Sequence, residues 1–351
     1  MGLCVSSPVS SEIHNNESTD QEIFHENAIY CEAEGKIHLP NGTQGMVGSV
    51  YSRTGSKGLN QDSAILYQGY GMHDGAFCGV YDGHGKNGHL VSNIVRNRLH
   101  SLVLNQKNTL AGIKVPSLQY KETEEITSEE TETSRMWSKA CASAFKVMDK
   151  EVKLQENIDY STSGTTAVVV IRQGEELVIA NLGDSRAVLG RLTEDGRLSA
   201  VQLTSDLKPS VPSEAERIRK CNGRVLALKD EPHIQRVWLP HEDMPGLAMS
   251  RAFGDFLLKN HGIIAVPDIS YHRISPEDQF VVLATDGVWD VMGNDEVMAV
   301  VRSAMEVGNP TAKAVVDAAV SAWKRKFPSS KIDDCTVVCL FLQKTQDKDA
   351  S

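Results

Sequence analysis

Apolar and polar positions divide the chain into a long folded part between two polar ends. Residues 1–45 are polar and show no periodicity, which predicts a disordered N-terminal tail. Order is predicted to begin near Met46, and the polar residues 344–351 are predicted to form a short C-terminal tail. The pattern therefore places the folded part at residues 46–343.

Within the folded part, short apolar runs predict strands, and longer runs with helical spacing predict helices. Strands are predicted near residues 46–51, 76–81, 165–171, 177–182, 187–190, 280–284 and 336–342. Helices are predicted near residues 90–102, 134–154, 213–221, 294–307 and 311–326. Ser213 and Glu216 are predicted to cap the third helix. Because strands and helices do not alternate regularly, this order predicts an α+β layered domain with sheets inside and helices outside.

Composition and charge limit the possible functions. The 351 residues are 40% hydrophobic and carry a net charge of -10, which argues against a nucleic-acid binder. No apolar run is long enough for a transmembrane helix, and none follows the first Met as a secretory signal would. The seven cysteines include no Cys-x-x-Cys pair, which argues against a disulfide framework or zinc site and favours a reducing compartment.

A set of aspartates lies where predicted strands begin or end. Asp82, Asp184 and Asp286 each follow a strand, Asp333 precedes the last strand, and Asp62 lies between two candidate strands. Several such carboxylates would repel one another unless they shared a cation. Their oxygens suit Mg²⁺ or Mn²⁺, and the glycines that follow two of them would let the backbone approach an ion. Asp-Gly is also ordinary turn chemistry, so the spacing suggests a metal site without proving one.

His84 lies in a glycine-flanked turn, two residues after Asp82. It is a candidate fourth ligand or a candidate general acid, and the residues leave both roles open. A second His at ligand spacing is absent, which argues against zinc. No cysteine is followed six residues later by arginine, no strand ends in Asp-x-Asp, and no P-loop motif occurs. These absences argue against cysteine-nucleophile, aspartyl-phosphate and P-loop mechanisms.

Eight motifs occur in order along the folded part, at residues 60–62, 77–85, 163–167, 181–187, 203–209, 247–255, 284–290 and 333–338. The second contains Asp82-Gly83-His84-Gly85. Together they resemble the type 2C (PPM) family of metal-dependent serine/threonine protein phosphatases, in its plant-type branch. The resemblance implies a four-layer α-β-β-α sandwich with two antiparallel central sheets, and a phosphoprotein substrate.

The resemblance also implies a centre of two Mg²⁺ or Mn²⁺ ions per subunit. The implied ligands are Asp82, Gly83, Asp286 and Asp333 for these two ions, and Asp184 and Asp290 for a weaker third ion. Asp62 would contact a metal-bound water, and His84 would be the general acid. In the implied reaction, a metal-bridging hydroxide attacks phosphorus directly, without a phosphoenzyme.

Two positions depart from the family pattern. Lys57 stands where many members carry an arginine that grips phosphate, so it offers a point charge without the bidentate fork. Gln61 stands where a glutamate is frequent, which removes one negative charge near the metals. These departures support a rival hypothesis, a catalytically weak, membrane-tethered binding protein that sequesters a protein kinase. The intact metal aspartates favour the enzyme.

Two further segments are singled out by their charge. A stretch at about 121–134 is rich in glutamate and threonine and is predicted to be an acidic loop. Residues 206–245 correspond to the family's variable flap. Its cations Arg217, Arg219, Lys220 and Arg224 either help to dock substrate or are solvated charges on a helix, and the sequence leaves both open.

The first six residues fit the N-myristoylation pattern at Gly2, and Cys4 is positioned for palmitoylation. Because one acyl chain binds a membrane only marginally, stable anchoring needs the second. This predicts a lipid-anchored protein at the cytoplasmic face of the plasma membrane, and otherwise a protein of the cytoplasm or nucleus. A monomer is expected because nothing in the sequence demands a larger assembly.

Overall fold

Two antiparallel β-sheets lie face to face at the centre of the protein. The computed structural model describes residues 28–31, 48–112, 132–156 and 158–343. In chain order the strands are β1 (Ala28–Cys31), β2 (Gly48–Arg53), β3 (Asp62–Gln68), β4 (Ala76–His84), β5 (Gly164–Thr165), β6 (Ala167–Gln173), β7 (Glu176–Leu182), β8 (Arg186–Leu192), β9 (Leu198–Gln202), β10 (Arg224–Ala227), β11 (Gln235–Trp238), β12 (Pro245–Leu247), β13 (Phe253–Gly254), β14 (Asp268–Arg273), β15 (Asp278–Ala284) and β16 (Cys335–Phe341). The helices are α1 (Gly88–Gly112), α2 (Glu132–Lys153), α3 (Pro212–Lys220), α4 (Asp286–Trp289), α5 (Asn294–Glu306) and α6 (Thr311–Lys326).

The first sheet has the strand order β1-β3-β4-β6-β7-β14, and the short strands β5 and β13 join it beside the end of β4. The second sheet has the order β2-β16-β15-β8-β9. Within both sheets the paired strands run antiparallel. Antiparallel pairing places the end of one strand beside the start of its partner, and this arrangement assembles the site described below.

The central strands are apolar on both faces because each sheet is covered on both sides. In β6, Val168 and Val170 pack into the core between the sheets, whereas Val169 and Ile171 pack in the core shared with α1 and α2. Helices α5 and α6 cover the outer face of the second sheet, with Val301 among the buried side chains. The predicted α+β class and four-layer α-β-β-α sandwich are therefore confirmed.

The predicted disordered tail is wrong over four residues. Strand β1 pairs with β3, so that Ala28 lies opposite Tyr67 and Cys31 lies opposite Ala64. Ile and Tyr favour strands, but a four-residue segment is too short to show an alternating pattern. The remainder of residues 1–45, including the acylation motif, lies outside the described residues, as does the tail 344–351.

Two helix starts differ from the predictions. Helix α2 begins at Glu132, so the last residues of the predicted acidic loop are helical, while residues 113–131 lie outside the described residues. Helix α3 begins at Pro212, and no side-chain hydrogen bond caps it at Val211, so the predicted capping pair is wrong. Proline favours the first helical position because its missing N–H has no intrahelical partner there.

The predicted flap forms a small layer of its own beside the sandwich. Helix α3 and the three-stranded sheet β10-β11-β12 enclose a core that contains Ile218, Val225, Val237 and Leu247. None of the helices in the described ranges combines the length and apolar character needed to cross a bilayer.

Candidate metal centre and active site

The antiparallel pairing brings the predicted aspartates to one end of the sandwich. Asp62 begins β3 and lies opposite Asp82, near the end of β4. In the second sheet, β15 ends two residues before Asp286, and its partner β16 begins two residues after Asp333. Asp184 lies between β7 and β8, and β8 pairs with β15. The topology therefore collects five carboxylates that are far apart in sequence.

These carboxylates are close enough to repel one another. Burial raises the pKa of Asp82 well above its usual value, and the charges of Asp286, Asp62 and Asp333 raise it further. Burial likewise raises the pKa of Asp286, and the charge of Asp184 adds to the effect. Burial raises the pKa of Asp62 to about 8 and that of Asp184 to about 6. Such a cluster favours either proton uptake or a bound cation.

The donor set fits hard divalent cations. One carboxylate oxygen of Asp184, Oδ1, is buried without a hydrogen-bond partner in the described part of the chain. At Gly83, an added Cβ would lie 2.5 Å from the carbonyl oxygens of both Gln61 and Gly88, so the backbone there is closely enclosed. Across the described ranges, no three His, Cys, Asp or Glu side chains form a ready-made metal cage. Hard cations complete their coordination with carbonyl oxygens and water, so this finding is compatible with a site of that class.

Thr285 ties the two sheets together beneath the carboxylates. Its hydroxyl donates to Asp62 Oδ2 at 2.8 Å and accepts the backbone N–H of Thr336 at 3.1 Å. All three residues are buried. Asp62 belongs to β3 of the first sheet, and Thr285 directly follows β15 of the second sheet. Their hydrogen bond therefore fixes the Asp62 carboxylate from the opposite sheet.

Lys57 reaches the same cluster from the loop between β2 and β3. Its ammonium forms an ion pair with Asp333, and its side chain is 53% exposed. Burial lowers the pKa of Lys57, but the charge of Asp333 outweighs this and leaves the pKa raised. The neighbouring Asp334 holds the loop, because its two oxygens accept the N–H groups of Gly55 and Gln61 at 2.8 Å each. The predicted phosphate-binding position is thus anchored beside the carboxylate cluster.

Gln61 makes a contact that a glutamate cannot make. Its side-chain amide Nε2 donates to the Gly85 carbonyl oxygen at 2.8 Å. The backbone carbonyl oxygen of Gln61, which any residue would supply, accepts from the Ser92 hydroxyl at 2.6 Å. The side-chain bond joins the start of β3 to the glycine turn that follows His84, and the backbone bond joins it to α1. The departure at this position therefore has a structural use.

His84 lies at the end of β4 and contacts an aspartate that the sequence did not single out. The distance from His84 Nε2 to Asp255 Oδ2 is 2.7 Å. Burial lowers the pKa of His84, but the charge of Asp255 and its hydrogen bond outweigh this and raise the pKa above its ordinary value. The imidazole is thus held beside the carboxylate cluster in a form that can carry a proton.

The family model for protein phosphatase 2C matches residues 54–325, which include Lys57, Asp62, His84 and Asp286. The chain belongs to the protein phosphatase 2C family. Membership makes it a protein serine/threonine phosphatase. The predicted family and enzyme class are therefore confirmed.

Relatives in plants and a solved structure agree with this assignment. Probable protein phosphatase 2C 72 of Arabidopsis thaliana is 54% identical over 350 residues, which are 98% of each chain. Probable protein phosphatase 2C 12 of Oryza sativa subsp. japonica is 46% identical and covers 97% of this chain and 92% of its own. The crystal structure of serine-threonine phosphatase 2C from Toxoplasma gondii matches with a TM-score of 0.72 at 25% identity, covering 90% of this chain and 99% of its own. The chain is thus a plant-type protein phosphatase 2C.

In this protein phosphatase 2C, a lysine lies between the two aspartates predicted for the weaker third ion. Lys208 Nζ is 3.7 Å from Asp184 Oδ2 and 4.0 Å from Asp290 Oδ1. Asp184 is buried, whereas Asp290 is exposed. A lysine charge therefore lies beside the two carboxylates that the family resemblance implies as ligands of the third ion.

The flap cations divide between two uses. Arg217 donates to Glu214 at 2.7 Å and to the carbonyl oxygens of Gly262 and Ser250, and Arg224 donates to the carbonyl oxygen of Leu239. These two arginines are therefore committed to holding the flap. The other two predicted cations, Arg219 and Lys220, are exposed on α3, and Lys220 pairs with Glu216 on the same helix.

Sequence reasoning assigned no role to four residues that shape the site: Lys208, Asp255, Thr285 and Asp334. All four lie inside the family motifs, at residues 203–209, 247–255, 284–290 and 333–338. Their roles depend on contacts between distant parts of the chain, such as the 171 residues that separate His84 from Asp255. No local pattern reports a contact of that kind.

Proposed function

We propose that this phosphatase hydrolyses phosphoserine and phosphothreonine with Mg²⁺ or Mn²⁺ bound at the carboxylate cluster. The observation that carries the proposal is the convergence of five carboxylates at one end of the sandwich, where Asp62 lies opposite Asp82 and the paired strands β15 and β16 bring Asp286 and Asp333 together. Such buried groups repel one another unless a cation or protons neutralise them. Clustered carboxylates with perturbed pKa values are typical of functional sites, and a divalent cation would neutralise their repulsion.

Each predicted ligand keeps its place in this proposal. Two ions would be held by Asp82, the Gly83 carbonyl, Asp286 and Asp333, with Asp62 acting through water, and a weaker third ion by Asp184 and Asp290. When bound, the cations would supply positive charge to the phosphoryl oxygens and lower the pKa of a coordinated water.

The chain's own residues bind the phosphoryl group and move the proton. Lys57 is exposed enough to reach a phosphate, and its pairing with Asp333 holds it at the centre until substrate arrives. It attracts phosphate as a point charge. His84 gives a proton to the seryl or threonyl oxygen as the P–O bond breaks. Thr285 keeps the Asp62 carboxylate in place throughout.

The rival hypothesis of a catalytically weak binding protein rested on Lys57 and Gln61. Lys57 is paired with Asp333, and Gln61 joins the start of β3 to the turn after His84. Both departures are thus accommodated by contacts inside the site, and neither removes a candidate ligand. We therefore favour the active enzyme.

The direct test is phosphate release from a phosphothreonine peptide, measured with Mg²⁺, with Mn²⁺ and with chelator. Release that needs the cation, and that falls by about 10²-fold or more in Asp286→Asn, would support the proposal. As a matched control, Asp268→Asn changes an exposed aspartate on β14 and should retain the wild-type rate. Equal release with chelator and with metal would contradict the metal dependence.

We further propose that the enzyme is a monomer held at the cytoplasmic face of the plasma membrane by acylation of Gly2 and Cys4. It would act there on membrane-proximal phosphoproteins, with a protein kinase as a candidate partner. The support is the sequence motif and the rule that two lipid signals are needed for stable anchoring. In cell fractionation, Gly2→Ala should move the protein from membrane to soluble fractions, and Cys4→Ser should weaken retention. A Gly2→Ala protein that stays with the membrane would sink this proposal.

A further inference from the structure

The contact between His84 and Asp255 is more enclosed than an ordinary surface ion pair. The Asp255 side chain is 1% exposed and that of His84 19% exposed. Beyond their 2.7 Å contact, the two remaining polar atoms, His84 Nδ1 and Asp255 Oδ1, are buried without a hydrogen-bond partner in the described part of the chain. One nitrogen of the ring is therefore committed and the other is unused.

Three short strand segments build this contact. Strand β5 pairs with the end of β4 on one side, where Gly164 lies opposite His84, and with β13 on the other, where Gly164 lies opposite Gly254. Asp255 follows β13 directly, and its N–H donates to the Ser163 carbonyl oxygen at 3.0 Å. The pairing thus brings His84 and Asp255 together across a single intervening strand.

The backbone adopts an unusual conformation to present Asp255. Its φ is 50°, in the left-handed region that residues other than glycine seldom occupy, and Gly254 before it has a φ of 79°. Such conformations persist where the surrounding structure imposes them, and they are frequent at functional sites. Asp149 secures this turn independently, because its Oδ1 accepts the Gly254 N–H at 3.0 Å and the Lys259 ammonium at 2.9 Å.

Gly164 leaves the space in which the two side chains meet. A Cβ added at Gly164 would lie 2.8 Å from His84 Nε2 and would also collide with Asp255 Oδ2. The φ of Gly164 is not in the left-handed region, so backbone conformation does not require glycine here. The close approach of the His84–Asp255 pair is a reason for glycine at this position.

We propose that Asp255 is a positioning residue for the general acid His84, and that it holds Nε2 so that Nδ1 is the nitrogen that serves the leaving oxygen. The inference rests on the proposed function. As water oxygen forms its bond to phosphorus, the P–O bond to the serine or threonine breaks. That oxygen takes the proton from Nδ1, the proton that the attacking water loses passes to solvent, and the ring takes up a proton from solvent before the next turnover. Nε2–H stays bonded to the Asp255 carboxylate throughout.

The test compares substrates that differ in their need for a proton on the leaving group. Hydrolysis of phosphothreonine releases the threonine oxygen as a strongly basic alkoxide, which needs a proton. Hydrolysis of p-nitrophenyl phosphate releases a weakly basic phenolate, which does not. With Mg²⁺, Asp255→Asn should lower kcat on a phosphothreonine peptide by about 10²-fold, in line with loss of general acid catalysis, with little change in KM. The loss on p-nitrophenyl phosphate should be at least about tenfold smaller.

Two further variants distinguish loss of His84 positioning from a general loss of stability. His84→Gln should show the same difference in kcat loss between the two substrates. In the His84→Gln background, Asp255→Asn should lower kcat on the phosphothreonine peptide by less than about a further threefold, because the effects of residues that act as a unit are not additive. Asp278→Asn is the matched control. It removes a buried aspartate that contacts His272 Nε2 at 2.8 Å, one strand length away from the site. It should lower stability and leave the ratio of the two rates unchanged.

A measurement on the wild-type protein needs no variant. Long-range proton–nitrogen NMR spectra of the Mg²⁺-loaded enzyme should show His84 with its proton on Nε2. The inference is overturned if that nitrogen is unprotonated, or if Asp255→Asn lowers both rates by equal factors. If the wild type releases no phosphate from either substrate with any cation, the proposed function fails instead, and the NMR result still decides the contact.

Discussion

At the scale of single residues, Lys208 changes how the predicted third ion should be understood. Its ammonium is about as close to Asp184 and Asp290 as a second-sphere partner would be, at 3.7 Å and 4.0 Å. Among the residues that the structure describes, the buried Oδ1 of Asp184 has no hydrogen-bond partner, so the lysine satisfies the pair only in part. A divalent cation arriving there has to overcome the repulsion of this fixed charge.

Lys208→Met should therefore tighten the weaker cation site. A unit charge at about 4 Å is worth about 1 kcal/mol even in water and more near a protein surface, so we expect the dissociation constant of the weakest Mg²⁺ ion to fall by about tenfold. Calorimetric titration with Mg²⁺ measures this without reference to activity. Lys208→Arg keeps the charge and should leave the constant near the wild-type value. An unchanged constant in Lys208→Met would show that the ammonium does not compete with the ion.

The sequence predicts the metal aspartates because each carries a local signal. Asp82 and Asp286 follow buried apolar runs and precede glycine, and the structure brings both to one edge. Lys208 and Asp255 carry no such signal, since a lysine or aspartate in a loop is ordinary. Their positions beside the carboxylate cluster appear only when β7, β8 and β13 are in place, which depends on pairings between segments distant in sequence.

At the scale of elements, the network around Glu214 fastens the flap to the sandwich. Glu214 accepts two bonds from Arg251, at 3.0 and 2.7 Å, one from Arg217 and one from Ser250. It is buried, with 2% of its surface exposed. Burial alone raises the pKa of Glu214, but the hydrogen bonds outweigh it and lower the pKa to about 2. Helix α3 is thereby joined to the loop that leads into β13.

Glu214→Gln should lower the free energy of unfolding by about 2–3 kcal/mol, because it leaves two partly buried arginines without their counter-charge. Urea denaturation measures the loss, and hydrogen exchange should show faster exchange in α3. The matched control is Glu216→Gln on the same helix, whose ion pair with Lys220 is exposed and should contribute less than about 0.5 kcal/mol. Equal stability of the two variants would contradict the role given to Glu214.

The elements themselves were largely predictable because burial on both faces leaves a continuous apolar signal. The strands β6, β7 and β15, and the helices α5 and α6, lie within a few residues of the predicted ranges. Strand β1 and the start of α3 were missed for physical reasons. β1 depends on pairing with the edge of β3, and the position of Pro212 outweighs the polar pair that suggested a later start.

At the scale of the whole molecule, the carboxylate cluster should make the cation-free protein less stable as pH rises. Asp62 has a pKa of about 8 in the folded protein and about 4 when unfolded, so the folded state holds a proton that the unfolded chain releases in this window. Its stabilising contribution is complete below pH ~4 and is lost as pH rises towards ~8. Asp82, Asp286 and His84 also have raised pKa values and act with the same sign. Glu214 and Asp278 have the opposite sign, but with pKa values of about 2 they titrate only in more acidic solution.

Thermal unfolding in chelator should therefore give a lower Tm at pH 8 than at pH 5.5. Mg²⁺ should raise the Tm at pH 8 by several degrees, because a ligand that binds only the folded state stabilises it and because the cation neutralises the repelling charges. Asp82→Asn removes one of the repelling groups, so it should flatten the pH dependence in chelator and reduce the response to Mg²⁺. Asp268→Asn, on the exposed face of β14, should alter neither. A Tm in chelator that stays level or rises between pH 5.5 and 8 would mean that repulsion among these carboxylates does not destabilise the folded protein. The electrostatic argument for a metal centre would then be contradicted.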